Sequence, residues 1–193
     1  MSRISIPTVD NSVAAAKPLL AAVLKQLGVV PNLMKLVGQS PAALEGYLSL
    51  NSALSKGKLS AQLRERIALA IAEYNGCDYC LSAHDYLGQN VAKLSRAELN
   101  AARDGRSEDA NTEVALQFAL RVAQSRGHVG NADIAALRLA GFDEASVIEI
   151  VANVAVNVLT NYINNVAQTD IDFPVVNANW SPMMAGVPSS SAA

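Results

Sequence analysis

The chain has 193 residues, 51% of them hydrophobic, and a formal net charge of −2, enough apolar material for one sizeable core in a single domain. Fifteen Lys and Arg against seventeen Asp and Glu leave no basic surplus for a nucleic-acid partner. Met1-Ser2-Arg3 leads into no apolar leader, and Asn, Glu, Arg or Gly interrupts each later apolar segment before bilayer length, so the expectation is a cytoplasmic protein with no membrane partner.

Residues 1–16 show little pattern beyond a run of alanines and read as a loosely ordered N-terminal arm. From residue 17 helical signals dominate, and residues 17–175 read as one all-α domain. Pro18 and Pro31 stand where a first helical residue belongs, and Gly28 and Gly38 close two short helices. Ser40-Pro41 opens a third that runs to about Gly57. Its stripe of Leu44, Tyr47, Leu48, Leu50 and Leu54 is expected to pack against the helices that follow.

Residues 60–88 hold both cysteines, Cys77 and Cys80, one of the two histidines, His84, and two glutamates, Glu65 and Glu73. Ser60 is a good N-cap, Leu63, Ile67, Ala70 and Ile71 recur at helical spacing, and Asn75-Gly76 is a helix stop, so residues 61–75 read as one helix. A second helix begins near Cys77. A cysteine in a first helical turn faces unpaired N–H groups and the positive end of the dipole, and both favour thiolate over thiol. Cys77 and Cys80 are three apart, and a helical Cα separation of about 5 Å suits a disulfide that opens and closes without large movement. His84 follows Cys80 by one turn, within reach of its proton.

Folding the two helices back about Gly76 brings His84 opposite Ala68, one turn from Glu65, while Glu73 comes beside Tyr79 and Cys80. Glu65 is therefore the better partner for His84, and Glu73 reads as a second relay carboxylate or a surface charge. Two competing readings are weaker. Buried thiols acting as small hydrophobes would rarely fall three apart with a histidine one turn on. A zinc site drawing on Cys77, Cys80, His84 and Glu65 lacks the second Cys/His pair that structural zinc recruits. A close cysteine pair in a reducing compartment points instead to transient, catalytic disulfide chemistry.

Further along, Ser95 and Glu98 form a capping box for a helix ending at Gly105, and residues 111–126 carry Val114, Ala115, Phe118, Ala119 and Val122 on one face. Asn131 and Asp143 are the next caps. Residues 144–168 predict the longest helix, roughly 37 Å, with Val147, Val151, Val154, Val158 and Tyr162 on one side. Its asparagines, Asn153, Asn157, Asn161, Asn164 and Asn165, read as a polar face toward water or a neighbouring subunit, with Asn157 or Asn161 as candidates to orient a relay water. His128 reads as an exposed loop residue, and Tyr79 and Tyr86 read chiefly as packing residues. Residues 176–193 read as a flexible or partner-docked tail whose one strong anchor is Trp180.

The spacing Glu65, Cys77, Cys80, His84 resembles the motif of the alkylhydroperoxidase (AhpD-like) proteins of the carboxymuconolactone decarboxylase family, in its peroxidase-related branch. The segments GVVPNLMKLVGQSPAAL from Gly28 and NVLTNYINNVAQTDIDFP from Asn157 are similar to those flanking that motif, so the resemblance spans most of residues 20–175. It implies an AhpD-like helical bundle, a homotrimer or homohexamer, and hydroperoxide reduction without metal or bound organic cofactor. It also implies residue roles: Cys80 attacks the peroxide, Cys77 resolves the sulfenic acid, and Glu65 and His84 relay protons. A lipoyl-type or thioredoxin-type dithiol would then restore the thiols. Some peroxidase members place a histidine just before the second cysteine; here Tyr79 stands there, which leaves a shorter relay. Decarboxylation of a lactone acid and a non-enzymatic thiol–disulfide switch are the other functions open at this point.

Overall fold

A computed structural model of the chain describes residues 1–179. Within them a 3-10 turn at Ala14–Ala16 precedes nine α-helices: α1 Lys17–Leu27, α2 Asn32–Val37, α3 Pro41–Leu54, α4 Ala61–Tyr74, α5 Asp78–Asn90, α6 Arg96–Arg103, α7 Ala110–Ser125, α8 Asn131–Leu139 and α9 Glu144–Ala167. The fold class is all-α, as the sequence indicates. Trp180 and the rest of residues 180–193 lie outside the described residues.

The helix ends follow local chemistry. Ser40, Ser60, Asp109 and Asp143 each accept a backbone N–H in the first turn of α3, α4, α7 and α9, and Ser95 and Glu98 close the expected capping box on α6. Gly28 ends α1 in the left-handed region, and Gly76, at φ 60°, makes the turn from α4 into α5. Pro31 is the N-cap of α2 rather than its first residue, and α3 stops at Leu54 rather than near Gly57.

Helix α4 is the hub, packed against α5, α6, α7 and α9. Residues 67–72, Ile-Ala-Leu-Ala-Ile-Ala, are all buried, so this stretch is apolar all round because neighbours enclose every side. Each of its Leu and Ile side chains contributes about 1.5–3 kcal/mol by leaving water. Helix α3 packs chiefly against α9, α2 and α1, with Tyr47 of its stripe near Glu65 of α4 and Tyr79 of α5 and with Leu50 left exposed.

Helix α9 departs from the expected polarity: Val147, Val154 and Val158 pack inward as expected, but the asparagines join them. Asn153, Asn157, Asn161 and Asn164 are buried together with Ile150, Val154 and Val156, whereas Ile148, Val151, Leu159, Tyr162 and Val166 face outward. Tyr162, expected on the packed side, is 57% exposed. Two of the buried amides are held by their own helix: Asn153 Nδ2 donates to Glu149 O and Asn157 Nδ2 to Asn153 O, each at 2.8 Å, one turn back. By length and composition α9 also qualifies as a bilayer-spanning helix, against the expectation that no apolar segment reaches that length. Its packed side lies on α4, α7, α3 and α5.

After α9 the chain runs as a strap across the start of α5. Val176 N–H donates to Ser82 Oγ at 2.9 Å, Ala178 N–H to Asp78 Oδ1 at 2.8 Å, and Asn179 N–H to Glu73 Oε1 at 2.6 Å. Glu73 also pairs with Arg103 at 2.7 Å, and Arg103 donates to Asn177 O. With its side chain 13% exposed, Glu73 is a tether for the strap and not a surface charge. At the other end, Arg3 N–H donates to Ala167 O and Gln39 Nε2 to Ser5 O, which lays residues 1–5 beside the end of α9.

Glu73→Gln should lose about 1–3 kcal/mol, because it strips a half-buried pair of its charge. Urea unfolding measures this; wild-type stability would show that the tether carries no load.

Candidate active site

Cys77 is the N-cap of α5: its backbone is extended, and its Sγ accepts the Cys80 N–H at 3.2 Å. That contact anchors one sulfur on the unpaired donors of the helix start. Cys77 and Cys80 are joined by a disulfide across a Cα separation of 5.3 Å. Both are buried, at 0% and 3% exposure, so neither offers itself to bulk solvent in the oxidised form.

His84 lies one turn beyond Cys80, and its Nδ1 meets Glu65 Oε2 at 2.8 Å. A carboxylate accepts, so Nδ1 carries the hydrogen and Nε2 keeps its lone pair free to take a proton. Both side chains are 23% exposed, sheltered yet open to exchange with water. The antiparallel turn at Gly76 thus selects Glu65 over Glu73, as the register predicts. Among the described residues no group of three or more His, Cys, Asp and Glu is arranged to hold a metal ion. His128 sits exposed in the turn before α8, away from this cluster.

Three contacts were not anticipated. Asn164 Nδ2 donates to Cys80 Sγ at 3.3 Å, so the amide that reaches the cysteines comes neither from Asn157 nor from Asn161. Asn161 instead accepts from Asn75 Nδ2 at 2.8 Å, at the end of α4. Tyr79 is more than a packing residue. Its hydroxyl accepts the Leu33 N–H at 3.1 Å and donates to Asp172 Oδ1 at 2.8 Å, while Phe173 meets its ring edge-on at 5.9 Å. Burial, aided by the nearby carboxylate of Asp172, holds its phenol above the ordinary range, so it stays a neutral donor. The regular spacing of asparagines in a valine-rich helix was the one available signal for Asn164. Nothing local pointed to Asp172.

Beside this cluster lies an apolar cavity of about 260 Å³ between α2, α3 and α9, lined by Leu33, Val37, Gly46, Tyr47, Leu159 and Ile163 among others. Tyr47 links it to the dithiol end: burial, with a further push from Glu65, raises its phenol to about 12, so its hydroxyl remains protonated across the working range.

The model of the carboxymuconolactone decarboxylase family matches residues 41–125, from α3 through α7, with all four motif residues inside. Among solved structures, the alkylhydroperoxidase AhpD core of an uncharacterised peroxidase-related protein from Ralstonia eutropha JMP134 aligns with a TM-score of 0.79 at 25% identity, covering 89% of this chain and 92% of that one. An uncharacterised peroxidase-related protein from Silicibacter sp. TM1040 aligns at 0.77 and 22% identity, covering 88% and 91%. The debrominase Bmp8, as a cysteine-to-alanine variant in complex with 2,3,4-tribromopyrrole, shares the fold at 0.71 and 21% identity, covering 87% and 94%. No curated protein matches the sequence. The family model thus matches the central helices α3 to α7, and the fold of AhpD-like proteins is shared along almost the whole length of the chain.

Proposed function

We propose that this chain is a dithiol peroxidase that reduces organic hydroperoxides. The observation that carries the reading is the 2.8 Å contact of His84 with Glu65, on the same helix as a cysteine pair able to close a disulfide. His84 Nε2 takes the proton of the Cys80 thiol, and Glu65 stabilises the imidazolium that results. The thiolate attacks the terminal oxygen of R–O–O–H; an S–O bond forms, the O–O bond breaks, and the departing alkoxide takes the proton from His84 and leaves as the alcohol. Cys77 then attacks the sulfenic sulfur, forming the disulfide and releasing water. A lipoyl-type or thioredoxin-type dithiol in the cytoplasm reduces that disulfide and resets the site.

The apolar cavity at Tyr47 supports a substrate with an organic group over hydrogen peroxide. The debrominase likeness is one of fold alone, so 2,3,4-tribromopyrrole serves as the contrasting substrate. Glu65→Gln should slow consumption of an organic hydroperoxide about 10²-fold, measured with a dithiol donor in excess, and leave the helical circular dichroism unchanged. A wild-type rate in that variant would remove Glu65 from the mechanism. Bromide release without peroxide consumption by the native protein would replace the reading altogether.

The reading includes a homo-oligomer, and we assign the outward face of α9 to contact between copies. No charged residue falls between Val151 and Val166, and Val151, Leu159, Tyr162 and Val166 are all exposed there. Only an uncharged apolar surface complements such a face, and a second α9 supplies one. Light scattering should give a multiple of the chain mass for the native protein and a smaller assembly for Tyr162→Asp. A monomeric native protein, or a variant assembly of unaltered size, would count against this face.

A further inference from the structure

The four buried asparagines of α9 divide into two kinds. Asn153 and Asn157 are spent on carbonyls of their own helix. Asn161 and Asn164 reach across to the α4–α5 corner, and each keeps one buried amide atom without a partner: Nδ2 of Asn161 and Oδ1 of Asn164. Asn164 is 2% exposed. A disulfide sulfur has lone pairs and no proton, so the amide nitrogen faces Cys80 and Oδ1 sits beside it on the same planar group. A buried acceptor left unpaired is destabilising. This acceptor lies two bonds from the nitrogen that touches the Cys80 sulfur, placed for a donor that reaches that sulfur.

We propose that Asn164 is a catalytic residue with two functions, the second of which rests on the peroxidase reading above. Its Nδ2 stabilises the Cys80 thiolate by a charge-assisted hydrogen bond. Its Oδ1 accepts the hydroxyl hydrogen of the bound hydroperoxide. When the terminal oxygen passes to sulfur, that hydrogen travels with it: R–O–O–H and the thiolate become the alkoxide and Cys80–S–O–H, and the alkoxide is protonated from His84. The acceptor that held the substrate's hydroxyl therefore holds the sulfenic acid's hydroxyl too. It releases that group only when Cys77 attacks the sulfur and the S–O bond breaks, with water as the product. Asn164 thus selects substrates with a terminal O–H, so hydroperoxides are accepted and dialkyl peroxides are rejected.

The test uses the full chain carrying Cys77→Ser, so that Cys80 is the only thiol, with Asn164 native, Asn164→Ala or the near-isosteric Asn164→Asp. Ultraviolet absorbance of the thiolate against pH reads the first function without any substrate. The midpoint should rise by about one pH unit in Asn164→Ala and further in Asn164→Asp, whose carboxylate repels the thiolate. An unmoved midpoint in the Asp variant would overturn it. Well above the midpoint of each variant, where nearly every Cys80 is ionised, the rate of sulfenic acid formation with cumene hydroperoxide reads the second function, and Asn164→Ala should be slower by about tenfold. An equal rate there would overturn the role of Oδ1. If the native Asn164 protein itself fails to react with the hydroperoxide, the peroxidase reading falls, while the midpoint shift still decides the thiolate contact.

Discussion

Enclosure of the middle of α4 is the constraint from which the rest follows. Residues 67–72 are all buried and leave that stretch no solvent face, and α5, α6, α7 and α9 surround it. Polar groups on α4 can then survive only near its ends. Glu65 lies one half-turn before the enclosed stretch and is met by His84; Glu73 lies just after it and is met by Arg103 and the strap. The candidate site lies along the α4–α5 pair, where burial leaves polar side chains few other places on this axis.

The second organising feature is helix α9. An ordinary surface helix shows its asparagines to water; α9 buries four of them beside Val154 and Val156 and leaves Val151, Leu159, Tyr162 and Val166 outside. Turning amides inward is costly unless each is paired, and two of them pair with their own backbone. The other two meet the α4–α5 corner, where Asn161 braces Asn75 and Asn164 touches Cys80. Glu149 completes the attachment by accepting the backbone N–H groups of Lys58 and Leu59, and Gly57 is placed where a side chain would collide with that carboxylate. Helix α9 thus both packs the core and supplies the polar contact to the sulfur.

Much of this was legible in the residue order because the cues were local. Caps at Ser60 and Ser95, the stop at Asn75-Gly76 and the three- and four-residue spacings of Cys77, Cys80 and His84 each depend on neighbours within one or two turns. Even the choice of Glu65 followed from counting residues back from a single turn. What stayed hidden depends on distant segments. Asp172 meets Tyr79 across 93 positions and Asn164 meets Cys80 across 84. No periodicity encodes which face of α9 turns inward, because valines and asparagines recur at the same interval and tertiary partners decide between them. For the same reason Glu73 looked like a surface charge until Arg103 and Asn179 were seen to enclose it.

The proposed peroxidase chemistry fixes an order of events at two sulfurs: attack by Cys80, resolution by Cys77. Intact mass spectrometry of the reduced protein, quenched after one equivalent of cumene hydroperoxide, tests that order most directly when Cys77→Ser and Cys80→Ser are run side by side. Attack by Cys80 gives a gain of one oxygen atom on Cys80 in the Cys77→Ser protein and no gain in the Cys80→Ser protein. Oxygen on Cys77 in the Cys80→Ser protein, with Cys80 unmodified in its counterpart, would contradict it.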